Sequence, residues 1–265
     1  MSLRSAMAHR NLLYLLSLKE LRTRYKKSIL GWAWSLFNPL SQMLIFSVIF
    51  IYVFKQTPPI GDPSGLKNFP IYFLSGLLPF NFFAIGISVS IGAVQGGAGL
   101  IKKVQFPHEH LVFSVIVAQF VTLGIEISLL IVVLLIAGNF VLPWLLTLLI
   151  VLSFLALFTA GLALFLAAAN VFYHDVNYLW GILSQILFYA TPIIYDPTTL
   201  TFKPLKILAS YGPTGGFIVA LHNIVYDSRI PSAARLAEIA VLGVGTFFLG
   251  LWAFNRMSPR FAEEM

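Results

Sequence analysis

Long uncharged apolar runs alternate with short polar breaks along this chain, and the length of each run decides what it can be. A helix rises 1.5 Å per residue, so crossing about 30 Å of hydrocarbon takes about 20 apolar residues. Residues 28–54 contain one such run. Residues 68–101 contain a second, with a core at 71–94 that ends in Gly96-Gly97-Ala98-Gly99. From Leu111 to His174 the only acid or base before the final His is Glu126, and the Gly138-Asn139…Pro143 break divides that stretch into two crossings. Six spans are predicted: 33–54, 71–94, 109–137, 144–170, 176–195 and 236–255. Between Asp196 and Arg235 the pattern changes. Pro197, Pro204, Pro213 and Pro231 interrupt two apolar pieces, Leu205–Ser210 and Phe217–Val225, that are too short to cross and are joined by Tyr-Gly-Pro-Thr-Gly-Gly. They predict a re-entrant extracellular hairpin at 203–226, because irregular backbone at membrane depth must be buried against protein or line a cavity.

The first thirty residues follow a helical period. Tyr14, Leu18, Leu21, Tyr25 and Ile29 recur at spacings that put them on one face, while Lys19, Glu20, Thr23, Lys26 and Lys27 project opposite. This predicts an amphipathic helix over 1–30 lying in the membrane interface, with Lys19, Arg22, Arg24, Lys26 and Lys27 among anionic headgroups and Tyr25 on the apolar side. Gly31 permits a bend, and Trp32 and Trp34 suit the headgroup boundary where the chain turns into the first span. The expected fold is an all-α integral membrane protein: an interface helix, a six-span domain over 31–255 with the hairpin before its last span, and a tail at 256–265.

Composition agrees. The chain is 58% hydrophobic and 10% charged, against about 25% charged in an ordinary soluble domain. With a mean hydropathy of +0.88, it has too little polar surface to cover a water-soluble globule. The net charge of +7 does not indicate nucleic acid, since no basic stripe with stacking aromatics remains once the spans are set aside. It indicates orientation. A cytoplasmic N-terminus places eleven Lys and Arg inside (positions 4, 10, 19, 22, 24, 26, 27, 102, 103, 256 and 260) and six outside (55, 67, 203, 206, 229 and 235), favouring both termini in the cytoplasm. The apolar stretch Leu12–Leu18 runs into Lys19-Glu20 with no small-residue cleavage site, so it is not expected to be a signal peptide. Absence of cysteine excludes disulfides, Cys-ligated metal and thiol chemistry.

Catalytic chemistry is sparse. The nearest approach to a phosphate-binding loop, Gly-Gly-Ala-Gly-Leu-Ile-Lys-Lys at 96–103, lacks Gly directly before Lys and the following Ser or Thr. His108 and His110 lack the i, i+4 spacing of helical metal ligands, and Tyr173-His174-Asp175 reads as a solvated turn. Glu126 is the one ionisable group deep in its span; a proton relay would require several, so a hydrogen-bonded helix contact is the preferred reading.

Two motifs carry a resemblance. Arg24, Tyr25, Ser28, Leu30, Gly31 and Trp34, followed by Pro39, form one; Leu100, Ile101, Lys102 and Lys103, with Phe106 and Pro107, form the other. Together with the amphipathic leader and six spans, they resemble the ABC-2 type permeases that export polysaccharides and teichoic acids. The resemblance implies a homodimer in the bacterial cytoplasmic membrane, each half bound to a separate P-loop ATPase subunit. ATP and Mg would bind on that partner, no cofactor on this chain, and the cargo would be a polyprenyl-diphosphate-linked glycan such as O-antigen. The short cytoplasmic segment at 100–106 would contact the ATPase, with Lys102 and Lys103 snorkelling to headgroups, Leu100, Ile101, Val104 and Phe106 as apolar anchors, and Pro107 opening the third span. In the family, the region at 203–226 forms short helices at the outer end of the channel; it often carries Asn-Pro where this chain has Gly212-Pro213, and an Arg after the second short helix where this chain reads His-Asn-Ile-Val-Tyr-Asp. Sugars slide along aromatic planes, which makes Trp34, Tyr52, Tyr178, Trp180, Tyr189 and Tyr195, on the first and fifth spans, the candidates for a glycan path. The competing readings are a proton-coupled lipid or glycolipid flippase and a membrane enzyme acting on lipids. The first needs a series of intramembrane carboxylates; the second needs clustered cytoplasmic metal ligands.

Overall fold

A computed structural model describes residues 3–24, 28–31, 33–55, 58–102 and 106–264. Every regular element among them is helical. Helix α1 is Leu3–Arg24, α2 is Ala33–Ser47 continued by a π-helical turn at Val48–Val53, and α3 is Phe69–Gly96. The short α4 (Ala98–Ile101) leads to α5 (Glu109–Ile136), α6 is Leu145–Phe172, and α7 is Val176–Ala190. Helices α8 (Lys203–Tyr211) and α9 (Gly215–Val225) precede α10 (Ala233–Met257) and α11 (Phe261–Glu264).

The centre is α3. Asn68 caps it by accepting a hydrogen bond from the Ile71 amide at 3.2 Å, Pro70 suits its first turn, and the helix then runs for 28 residues. It packs against α2, α5, α6, α7 and α9, which explains why its apolar positions show no single stripe. Helices α6 and α10 approach closely through glycines. A methyl group at Gly243 would lie 2.7 Å from the Phe154 carbonyl oxygen, and one at Gly250 would collide with the carbonyl of Gly161. Small residues let these two backbones touch along their length.

Chain ends and connections sort by bundle end. Leu12 and Leu16 of α1 pack with Phe106 and Leu111, and Phe261 of α11 stacks near His108 and meets Phe254 edge-on. Both described termini therefore gather with the 97–108 connection. The 59–68 loop, the α5–α6 turn and the α8–α9 pair meet at the opposite end.

Five helices are long and apolar enough to cross a bilayer: Ala33–Val53, Phe69–Gly96, Glu109–Ile136, Leu142–Phe172 and Ala233–Arg260. These agree with five of the six predicted spans. The predicted span at 176–195 is shorter as a helix. Its α7 has 15 residues, or about 22 Å. Thr191 stands before Pro192, whose ring disfavours helical backbone in the preceding residue, and Thr191 is extended at ψ 139°. Hydroxyl hydrogen bonds from Tyr195 to the carbonyls of Tyr189 and Ala190, at 3.1 and 3.0 Å, close the helix end. Over 203–226 the two short helices fall where the prolines place them.

The leader also differs from expectation. Its described helix runs to Arg24, Tyr25, Lys26 and Lys27 fall outside the described residues, and Ile29 is fully exposed. Tyr14 is exposed, and the packed positions are Leu12 and Leu16. Farther along α1, Glu20, Leu21 and Thr23 border a hollow with Val115, Ala118 and Gln119 of α5. The leader thus follows the first turns of α5, and that tertiary partner, which a helical wheel cannot include, selects the buried face. Gly31 has φ +51°, the left-handed bend anticipated before α2.

Candidate functional site

The candidate positions occupy three places. At the terminus-bearing end, α4 carries half-buried Leu100 and Ile101, and Lys102 beyond it is exposed. Lys103 and Val104 lie outside the described residues. Phe106 departs from the role expected of it: the ring is 9% exposed and packs against Leu16 and Leu111 of its own chain. It is an internal anchor that ties the leader to the connection, so it is not free to fill a partner's groove. Pro107 follows it, and Glu109 stands in the first turn of α5, where its charge complements the helix dipole. Lys19 and Arg22 are exposed on α1, Lys19 forms an ion pair with Glu20 at 3.7 Å, and the side chain of Arg24 lies outside the described set.

The aromatic candidates divide. Trp34 and Tyr52 on α2 and Tyr178 and Tyr189 on α7 are exposed. On α7 the two tyrosines share an open face with Leu179, Ile182, Leu183 and Ile186. Trp180, 4% exposed, points the other way; its indole N–H donates to the Ala84 carbonyl at 3.1 Å and its ring meets Phe83 edge-on. Tyr195 has its hydroxyl committed to the end of α7. These two are packing and capping residues, not open surface.

At the opposite end of the bundle, α8 and α9 are held from several sides by groups that periodicity could not reveal. Thr191 and Thr214 share a hydrogen bond of 2.5 Å. His222 stacks on Tyr72 with ring centroids 4.1 Å apart. Asn139 donates to the carbonyls of Val225 and Tyr226, at 3.2 and 3.4 Å, and accepts from Ser228. The Tyr226 hydroxyl lies 2.7 Å from the Pro59 carbonyl and 3.0 Å from that of Leu66, and accepts from the Asn68 amide at 3.1 Å. From α10, Arg235 donates to the Ser210 carbonyl at 2.7 Å, pairs with Glu238 at 2.8 Å and lies 4.4 Å over the Tyr211 ring. Gly138-Asn139, read only as a break between spans, was the one signal available.

An arginine does follow α9, past the Tyr226-Asp227 turn. Arg229 contacts Asp227 at 3.2 Å, Asp62 at 4.0 Å and the Asn223 side-chain oxygen at 3.0 Å. Burial pushes the Asp227 carboxyl up to about 6, and nearby Asp196 and Asp62 push the same way; Arg229 and the Asp62 amide oppose this without cancelling it. A cavity of about 190 Å³ opens here, bordered by Asp62, Asp196, His222 and Asp227. Glu126 lies elsewhere, midway along α5, beside a groove under α2. Among the described residues, no group of three His, Cys, Asp or Glu is placed to hold a metal ion.

Residues 11–226 match the ABC-2 type transporter family. The chain is 28% identical to the O-antigen export system permease protein RfbA of Myxococcus xanthus, across 97% of this chain and 96% of that protein. It is 26% identical to an O-antigen export system permease protein RfbA of Klebsiella pneumoniae, covering 96% and 94%. It is 24% identical to the polysialic acid transport protein KpsM of Escherichia coli, covering 89% of each. Because that family match spans well over half of the sequence, the chain belongs to the ABC-2 type transporters.

Proposed function

We propose that this chain is the membrane subunit of an ABC exporter that carries a polyprenyl-diphosphate-linked polysaccharide of the O-antigen kind across the bacterial cytoplasmic membrane. The observation that carries the reading is near-full-length similarity to export permeases, on a chain whose long helices are apolar enough to span. Two copies pair across a two-fold axis, and two P-loop ATPase subunits supply the energy. The open faces of α2 and α7, with Trp34, Tyr52, Tyr178 and Tyr189, support placing the path between copies, because an aromatic surface left unpacked in one chain suits a sliding polymer. The sixth crossing is made by α7 with the turns at 191–195 that follow it, and α8 and α9 dip into the outer leaflet. Both termini are cytoplasmic, so the exposed Lys102 and the open side of α4 face the ATPase.

The test is deletion of the gene in its host, with surface polysaccharide and its lipid-linked precursor measured. Export should stop and the precursor accumulate inside. Unchanged surface polysaccharide sinks the proposal. Purification in mild detergent should recover the ATPase with the chain.

A further inference from the structure

Residues 256–265 read as a tail in the sequence, yet the chain turns back onto the bundle there. Pro259 has no amide hydrogen with which to extend α10, and a tight turn at Ser258–Arg260 carries α11 inward. Phe261 is thereby fully buried. Its ring centroid lies 5.4 Å from that of Phe254 on α10, 6.2 Å from that of Phe172 at the end of α6, and 6.1 Å from that of His108, which stands just before α5. The contact with His108 is the one that reaches the 97–108 connection. His108 in turn meets Phe106 edge-on at 5.5 Å, and Phe106 packs on Leu16. A line of contacts thus runs from the C-terminal turn through the connection to the leader.

The other flank of the connection is gripped at the same place. Gln95, in the last turn of α3, and Asn170, in the last turn of α6, pair side chain to side chain at 3.1 Å. Gln95 also donates to the Asn170 carbonyl at 3.0 Å, and Asn170 to the Ile91 carbonyl at 3.2 Å. Asn170 is buried, and an amide separated from its partners in apolar surroundings is costly, which keeps these bonds closed. Asn170 and Phe172 are two residues apart, so both flanks of the connection are fixed to a single turn of α6. Beside the Gln95 grip the chain has room to bend, since a methyl group at Gly96 or Gly99 would meet no atom within 4 Å. A push on such a segment is absorbed by the glycines unless its ends are seated on something stiff, and α6 is stiffened by its backbone contact with α10. We infer that the last turn of α6 is the seat of the 97–108 connection, and that Phe261 is a positioning residue for ATPase coupling, holding the α5 flank of that connection through His108. This rests on the export reading above and gives the C-terminal turn a part in it.

The experiment uses the complete transporter, this chain with its ATPase. Glycan export is measured in cells and ATP turnover in membranes from the same cells, each at equal amounts of assembled complex. Phe261→Ala should lower export at least fivefold while ATP turnover stays within about twofold of the parent, so that export per ATP falls. Phe261→Leu, which refills part of the ring's volume, should recover half or more of the loss. His108→Ala should lower the same ratio, and adding it to Phe261→Ala should lower it no further, because the two rings form one contact. Gln95→Leu, which breaks the grip on the α3 flank, should lower it independently. Phe248→Ala, on the exposed apolar face of α10, is the control and should keep the parent's ratio. An unchanged ratio in Phe261→Ala overturns the proposal, and so does a proportional fall of export and turnover, which a purely structural role would give. Full additivity of Phe261→Ala and His108→Ala overturns the route through His108. Should Phe261→Ala fail to accumulate, His108→Ala, at a half-buried position, decides by the same ratio. The export reading fails separately and in the parent: no ATPase recovered with the chain, or export that persists when the gene is deleted.

Discussion

Trp180 and Tyr178 are two residues apart on α7 and do opposite work. Trp180 fills the contact with α3 and satisfies its N–H on the Ala84 carbonyl, while Tyr178 is 76% exposed. Trp180→Ala should therefore cost about 3–5 kcal/mol by leaving a cavity, and Tyr178→Ala almost nothing, as read from unfolding of the purified protein. Apolar surface facing lipid and apolar surface facing protein have the same composition, which is why the sequence names both residues as path candidates and cannot tell them apart. Asp227 carries a second expectation. Its carboxyl titrates at about 6 when folded and near 3.8 when unfolded, so between those values the folded state holds the extra proton. Stability contributed here should fall as pH rises through that window and be fully regained below it. Asp227→Asn should remove the dependence. Thermal melts at pH 7.5 and 5 that show equal shifts for parent and variant contradict this.

At the scale of elements, helix contacts are made by two different means. Gly161, Gly243 and Gly250 let α6 and α10 meet backbone to backbone, whereas a methyl group at Gly245 would meet no atom within 4 Å. Gly250→Val should force the pair apart, at about 1–3 kcal/mol for overpacking, and Gly245→Val should fold like the parent. Chemical unfolding of both variants compares them directly. The leader joins α5 through Leu16 and Phe106, a contact between residues in one small cluster. Phe106→Ala and Leu16→Ala should each loosen α1, with a combined effect smaller than their sum because both remove the same contact. Protease accessibility near position 24 reads this out; full additivity would separate the two residues. Local chemistry sets element ends at the Asn68 cap and at Thr191-Pro192, but run length alone carried the predicted fifth span past Thr191 to residue 195. The buried face of α1 was not legible, since nothing within residues 14–29 records the presence of α5.

For the whole molecule, hydrocarbon thickness made five of the spans readable, because run length alone sets them. What holds α8 and α9 is distributed over Asn139, Thr191, Tyr226 and Arg235, positions far apart in the chain that only the folded bundle brings together. The pairing of copies has a direct check. Tyr178→Cys introduces a lone thiol on the open face of α7, and oxidation in membranes should give a covalent dimer, while Phe248→Cys on α10 should stay monomeric. The reverse pattern moves the partner to α10. The glycine seam bears on how such an assembly can work. Interlocked backbones have no sliding coordinate, so α6 and α10 form a single stiff beam, with α3 alongside. Helices α2 and α7 touch α3, alongside that beam, through ring contacts such as Phe46 with Phe73 and Phe188 with Phe80, which can shear without parting. A stroke of the proposed ATPase, delivered at one end of this molecule, would be borne by a stator on one side and spent as motion on the other, the side that carries its exposed aromatic rings.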